Sequence, residues 1–285
     1  MRYSKEFIGE TLGTFLLVLF GCGSVTVSVL FGAYNSILQI AMVWGIGVTL
    51  AIYLTRHLSC AHLNPAVSLA MVVGGRMSAR KLPVYLIAQF LGALLAGIAI
   101  YLLFSPSIAA YESAHSIIRG TAESVQTAKM FGEYYSGTGS TAVVSLPLAA
   151  GAEAFGTFLL LLMIFALTEG CNVGRPNDAL APLFIGLTVS SVICLIAPLT
   201  QAGLNPARDF GPRMVAWATG WGDAAFPDHV GGFFFVYILA PITGGILASL
   251  FFVHALEPAM KSSSVQCNCA NTRIIKKVKK NDQVR

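Results

Sequence analysis

The chain has 285 residues, of which 55% are hydrophobic and only 11% charged, with a formal net charge of +5. A water-soluble domain carries about a quarter charged residues, so this composition excludes an ordinary soluble enzyme or binding module and points to a chain that lives in lipid. The six cysteines (Cys22, Cys60, Cys171, Cys194, Cys267 and Cys269) follow no regular spacing and sit mostly in apolar runs, which excludes a disulfide scaffold.

Crossing a hydrocarbon core takes about 20 apolar residues in a helix. Runs of that kind are predicted near 6–31, 36–56, 82–104, 147–169, 178–198 and 231–255. The first is too long, and lacks a small-x-small cleavage site, to read as a signal peptide. Six crossings put both ends on one side. Short loops on that side carry Arg2, Lys5, Arg56, Arg76, Arg80, Lys81 and Arg175, against Arg119 and Lys129 opposite, so the positive-inside rule predicts cytoplasmic termini.

Two further apolar stretches, 65–74 and 206–219, are too short to span. They read as half-helices on re-entrant loops, which lipid tolerates only where protein or a wet cavity satisfies the backbone. The chain also repeats itself. Glu10-Thr-Leu-Gly-Thr-Phe-Leu-Leu17 matches Glu153-Ala-Phe-Gly-Thr-Phe-Leu-Leu160, and roughly fifty residues after each comes Asn64-Pro65-Ala66 or Asn205-Pro206-Ala207. Three spans per half invert the second copy relative to the first, and inverted repeats with paired broken helices imply a permeation site near the midplane. The organisation expected is a first repeat over 1–104, an outward Gly- and Ser-rich loop over 105–146, a second repeat over 147–258 and a basic cytoplasmic tail over 259–285.

Asn-Pro has a plain local meaning, since Asn is a favoured N-cap and Pro a favoured first helical residue. Two copies at matching places in a repeat argue for more. An Asn whose side-chain oxygen caps its helix keeps an amide NH₂ as donor, and two such donors would meet where two positive helix ends converge. A neutral solute finds hydrogen bonds there, while a cation meets a barrier.

These motifs, within Ser59-Cys-Ala-His-Leu-Asn-Pro-Ala-Val67 and Leu204-Asn-Pro-Ala-Arg-Asp-Phe-Gly-Pro212, resemble the aquaporin superfamily over nearly the whole chain. Asp209 after Asn-Pro-Ala-Arg, with Pro241-Ile242 in the last span, resembles its glycerol facilitator branch. The resemblance implies an all-α membrane protein of six transmembrane helices and two half-helices, a homotetramer in which each protomer holds its own pore, and passive conduction of glycerol and other small neutral solutes in a bacterial inner membrane without a cofactor. The small-residue pattern Gly92, Ala93, Ala96 and Gly97 permits close helix packing.

The resemblance also implies site residues. Arg208, an expensive charge inside the membrane, becomes the charged member of an outer selectivity filter, with Trp44 as its apolar wall and Ile193 and Ala202 as the other positions. That set departs from the familiar bacterial Gly and Phe and looks more like the nodulin-like intrinsic proteins of plants. The backbone carbonyls of Cys60, Ala61, His62 and Leu63, and of Thr200, Gln201, Ala202 and Gly203, are expected to form an acceptor ladder along the lumen. Glu10 and Glu153 read as struts that accept from loop N–H groups, although a proton relay is the competing reading. Asp209 either supports its loop or simply complements a helix dipole. Tyr134 and Tyr135 either shape the vestibule or are ordinary loop aromatics. Cys60 and His62 are too few to hold zinc. The basic run from Arg273 to Lys280 is a solvated tail or a contact for anionic lipid. Two other functions stay open: a water- or ammonia-selective channel of the same superfamily, and an ion-coupled transporter, which is also built from inverted repeats.

Overall fold

Hydrocarbon offers the backbone no hydrogen-bonding partner, so apolar runs of this length close into helices that satisfy themselves. A computed structural model describes residues 4–135, 143–226 and 229–262. Its principal helices are α1 (Ser4–Phe31), α2 (Ile37–Ser59), α3 (Pro65–Val73), α4 (Leu82–Ala114), α5 (Leu146–Thr168), α6 (Ala181–Thr200), α7 (Pro206–Ala216) and α8 (Gly231–Ser262). Six of them are long and apolar enough to cross a membrane, and α3 and α7 are the two short ones. No strand occurs among the described residues.

The packing follows the repeat. In the first half α1 lies against α2 and α4, and in the second α5 lies against α6 and α8. Each half-helix packs on the last span of the other half, α3 on α8 and α7 on α4, while α2 and α6 meet at the centre. Close approach is enforced at equivalent glycines. A Cβ on Gly92 would come within 2.3 Å of the Thr11 carbonyl of α1, and one on Gly244 within 1.9 Å of the Ala154 carbonyl of α5.

One sequence expectation is corrected here. The span predicted to stop near 104 continues to Ala114 through Ser105-Pro106-Ser107, because the turns beyond still bury Ile108 and Glu112. Glu112 is held there by Arg119 and by the Thr127 hydroxyl. The second half-helix is α-helical to Ala216 and continues as a wider turn until Thr219 and Gly220 leave helical geometry, about where the sequence places its end. The small-residue stripe on α4 is used up inside the protomer: Gly92 meets α1, and Ala93 and Gly97 meet Gly211 and Pro212 of α7. It therefore carries no information about assembly.

Both described ends lie beside the connection between α3 and α4. Glu6 pairs with Lys81 at 2.9 Å, and Glu257 pairs with Arg76 at 3.1 Å. The run from Arg273 to Lys280 lies outside the described residues.

Candidate functional site

The two loops that enter α3 and α7 are built alike, residue for residue. Cys60, Ala61 and Leu63 have φ of 67°, 54° and 54°, and their counterparts Gln201, Ala202 and Leu204 have 63°, 65° and 56°. Left-handed backbone costs a non-glycine residue about 1–2 kcal/mol, so something must hold each loop. Glu10 Oε1 and Oε2 accept from the N–H groups of His62 and Leu63 at 2.9 and 2.7 Å. Glu153 accepts from Gly203 and Leu204 at 2.8 and 2.7 Å. Both carboxylates are fully buried. A tyrosine from the last span of each half completes the pattern, Tyr85 donating to the Ser59 carbonyl and Tyr237 to that of Thr200.

The asparagines then tie the halves together. Asn64 Oδ1 caps α3 by accepting from Ala66 N at 2.8 Å, and Asn205 Oδ1 accepts from Ala207 and Arg208 N at 3.1 and 3.2 Å. Asn64 Nδ2 donates to the Leu204 carbonyl at 2.9 Å, and Asn205 Nδ2 to the Leu63 carbonyl at 2.8 Å. Each amide thus spends one hydrogen across the pseudo-two-fold axis and keeps the other. Pro65 and Pro206 follow as first helical residues, and Ala66 and Ala207 are fully buried beneath the caps.

A cavity of about 600 Å³ runs past this junction. On the terminus side it is bordered by Arg56, Arg76 and Lys81, and at its far end by Trp44, Ile193, Ala202 and Arg208. Those four residues come from α2, α6, the second re-entrant loop and α7, and all are buried. The Arg208 guanidinium carbon sits 4.3 Å from the centre of the Trp44 ring, a cation–π contact.

Arg208 has a partner that sequence reasoning did not identify. Its Nη2 donates to Glu133 Oε1, and both side chains are about 95% buried, with exposures of 4% and 5%. Arg208 Nη1 has no hydrogen-bond partner among the described residues, and Asp209 Oδ1 lies 3.8 Å from it. The Glu133 backbone is bolted at both ends: its N–H donates to Asp209 Oδ1 at 2.7 Å, and its carbonyl accepts from Arg213 Nη2 at 2.8 Å. Arg213 pairs with Asp209 at 2.8 Å and lies over the rings of Tyr134 and Phe233 at 5.1 Å. Gly132 is required beside it, because a Cβ there would fall 2.5 Å from the guanidinium carbon. The signal available for Glu133 was slight: a lone carboxylate, next to Tyr134-Tyr135, in a loop far along the chain from Arg208.

The expected carbonyl rows are partly rearranged. Cys60, Ala61, His62, Leu63, Ala202 and Gly203 border the cavity, but Thr200 and Gln201 do not. The Thr200 carbonyl is taken by Tyr237, and the Gln201 side chain accepts from Tyr134 N at 2.8 Å. Tyr134 and Tyr135 are buried under the outer connection and stay away from the cavity.

The model of the family described as "Major intrinsic protein" matches residues 1–252. The chain belongs to this family. It is 41% identical to the propanediol uptake facilitator PduF of Citrobacter freundii over 243 residues, covering 84% of this chain and 87% of that one. It is 40% identical to the glycerol uptake facilitator protein of Pseudomonas aeruginosa over 248 residues, covering 86% of each. Among solved structures, the aquaglyceroporin from Plasmodium falciparum superposes with a TM-score of 0.78 at 26% identity, covering 92% of this chain and all of that one. As a member of the major intrinsic protein family, the chain is a multi-pass membrane protein with the six-span, two-half-helix fold.

Proposed function

We propose that the protein is a passive channel for glycerol and similar small neutral solutes, and that Trp44, Ile193, Ala202 and Arg208 form its selectivity filter. The observation that carries this reading is one cross-section of the cavity, bordered by both the flat apolar face of Trp44 and the guanidinium-bearing Arg208 beside it. A polyol has a carbon face and a hydroxyl edge, and the two walls match them. The glycerol and propanediol facilitators among the relatives, and the aquaglyceroporin among the structures, support the same class of solute.

Deeper in, the free hydrogens of Asn64 and Asn205 and the carbonyls of Cys60, Ala61 and His62 offer donors and acceptors to replace lost hydration. Glu10, Glu153 and Asp209 act as the scaffold of the two loops. Glu133 offsets part of the charge on Arg208, so rejection of cations rests mainly on the converging positive ends of α3 and α7. Solutes cross unchanged; the protein is a transporter and not an enzyme. The division into repeats over 1–104 and 147–258 follows the equivalence of Glu10 with Glu153 and of Asn64 with Asn205. A homotetramer in a lipid bilayer, the bacterial inner membrane with cytoplasmic termini, is part of the proposal and rests on the family.

A second reading, preference for water or ammonia, is favoured by Ile193, which adds bulk at the filter, and opposed by Ala202, which removes it. Purified protein in liposomes, challenged in turn with water, glycerol, urea, ammonia and lactic acid, decides between them. Glycerol reswelling well above that of empty vesicles is expected; a rate equal to theirs overturns the proposal.

A further inference from the structure

The two half-helices differ at two places, four residues after the asparagine cap and one turn further on: α3 carries Ser68 and Val72 where α7 carries Asp209 and Arg213. Both half-helices form and both loops close, so a half-helix on a re-entrant loop does not of itself require a charged pair there. The pair occurs only on the side of the passage that holds Arg208. Asp209 and Arg213 are 0% and 1% exposed and face each other across one helical turn.

The acceptor positions of Asp209 are taken. Arg213 Nε donates to Oδ2 at 3.0 Å, and Arg213 Nη2 lies 2.8 Å from both oxygens. The Glu133 N–H donates to Oδ1 at 2.7 Å. A carboxylate oxygen offers about two lone-pair directions, so Oδ1 has none left for a further donor. The donor that goes without is Arg208 Nη1, which is buried, lies 3.8 Å from Asp209 Oδ1 and has no hydrogen-bond partner among the described residues. A buried guanidinium nitrogen this close to a carboxylate closes on it unless the carboxylate is held elsewhere. Arg213 is what holds it. Arg213 cannot follow a moving Asp209, because it also donates to the Ala225 and Glu133 carbonyls and lies 5.1 to 5.8 Å from the ring centres of Tyr134, Phe226, Phe233 and Tyr237.

We infer that Arg213 is a positioning residue of the filter: by claiming Asp209 it keeps that carboxylate off Arg208, whose guanidinium is left to Glu133 and the face of Trp44. The inference rests on the reading of Arg208 as the filter charge. Without Arg213, the cation nearest to Asp209 is Arg208. Closing the 3.8 Å gap would set Arg208 between two carboxylates, draw it from the Trp44 ring centre that it faces at 4.3 Å, and cancel the charge that a solute hydroxyl meets there. Neither Arg213 nor Asp209 borders the cavity, so Arg213 acts on the solute through Arg208.

The test releases Asp209 and then removes its charge, in full-length protein reconstituted in liposomes, with glycerol and water permeability read in the same vesicles. Arg213→Met frees Asp209 and is expected to lower the glycerol-to-water permeability ratio about two- to ten-fold, the weight of one hydrogen bond. Adding Asp209→Asn keeps an oxygen for the Glu133 N–H but leaves no charge to draw Arg208, and the ratio is expected to return toward the wild-type value. A pair that only stabilised the fold would change yield and unfolding midpoint but not the ratio among channels that assemble. Arg213→Lys keeps the charge and loses the fork; it is expected to shift the ratio the same way by less, which keeps the test open should Arg213→Met not assemble. A density map of the single variant gives a readout independent of transport, with Arg208 Nη1 expected within about 3 Å of an Asp209 oxygen. An assembled Arg213→Met channel with Arg208 unmoved and its ratio unchanged overturns the inference, and so does a double variant whose ratio stays as low as the single one. Arg208 captured by Asp209 with the ratio unchanged would refute Arg208 as the filter charge and leave the hold of Arg213 on Asp209 standing.

Discussion

Glu133 and Arg208 form a buried ion pair at the far end of the cavity, joining the connection that follows α4 to the third residue of α7. Breaking a buried pair from one side strands the other charge, at a cost of about 3–5 kcal/mol. Glu133→Ala is therefore expected to lower the thermal unfolding midpoint of detergent-solubilised protein markedly. The double variant Glu133→Ala, Arg208→Val should lose much less than the two single losses combined. Additive losses would show that the pair is not coupled.

Ala202 is buried, borders the cavity and has a positive φ of 65°. Ala202→Phe keeps that backbone strain and adds a ring at the filter. Glycerol and urea flux should fall several-fold more than water flux in the same vesicles. Equal loss for every solute would mean that residue 202 does not face the path.

Asn64 and Asn205 each join a cap to a bond across the axis, but Asn205 caps two N–H groups and Asn64 one. Loss of a cap costs about 1 kcal/mol, and a stranded buried carbonyl costs about 1–3 kcal/mol more. Both alanine variants should be destabilised by a few kcal/mol, Asn205→Ala the more so, as read by thermal unfolding. A larger loss for Asn64→Ala would contradict the geometry.

Glu10→Ala and Glu153→Ala should behave as a matched pair, since each strands two loop N–H groups. At about 1–3 kcal/mol for each stranded group, both variants are expected to assemble poorly, judged by the monodisperse yield on size exclusion. A well-assembled Glu153→Ala would show that its loop is held elsewhere.

On the terminus side, the Cys171 N–H and the Arg76 guanidinium hold the Glu169 carboxyl below its usual range. A depressed carboxylate stabilises fully above its unfolded value of about 4.3, and that contribution is lost as pH falls through the lower folded value. The gap in unfolding midpoint between wild type and Glu169→Gln should thus be open at neutral pH and close below about pH 4. A gap that persists unchanged into acid would exclude this linkage.

What could be read in advance was what repeats or spans. Hydrocarbon thickness fixes the length of an apolar run, so the six long helices were visible as such. The doubled Asn-Pro-Ala marked the half-helices through cap chemistry alone, and the matching Glu10 and Glu153 stood out because a carboxylate inside an apolar span must find donors. Contacts that depend on how a polar connection folds back left no such trace. Glu133 meets Arg208 only because Asp209, Arg213 and Gly132 bring its backbone there, and although Asp209 and Arg213 are one helical turn apart, no spacing links either of them to residues 132 and 133. The stripe Gly92, Ala93 and Gly97 was legible as a surface for close packing, but its partner was not, because a small-residue face fits a helix of the same chain as well as one of a neighbour. Thr200 fell outside the cavity for a similar reason: the Tyr237 hydroxyl that claims its carbonyl lies on another span.

The central claim, passive conduction of a neutral polyol, is tested most directly by following glycerol entry and internal pH together in liposomes that hold an imposed proton gradient. Glycerol is predicted to rise to the outside concentration and stop there, at a rate indifferent to the gradient, while the pH signal decays no faster than in empty vesicles. Accumulation of glycerol above the outside level, or proton entry that keeps step with it, would contradict the account.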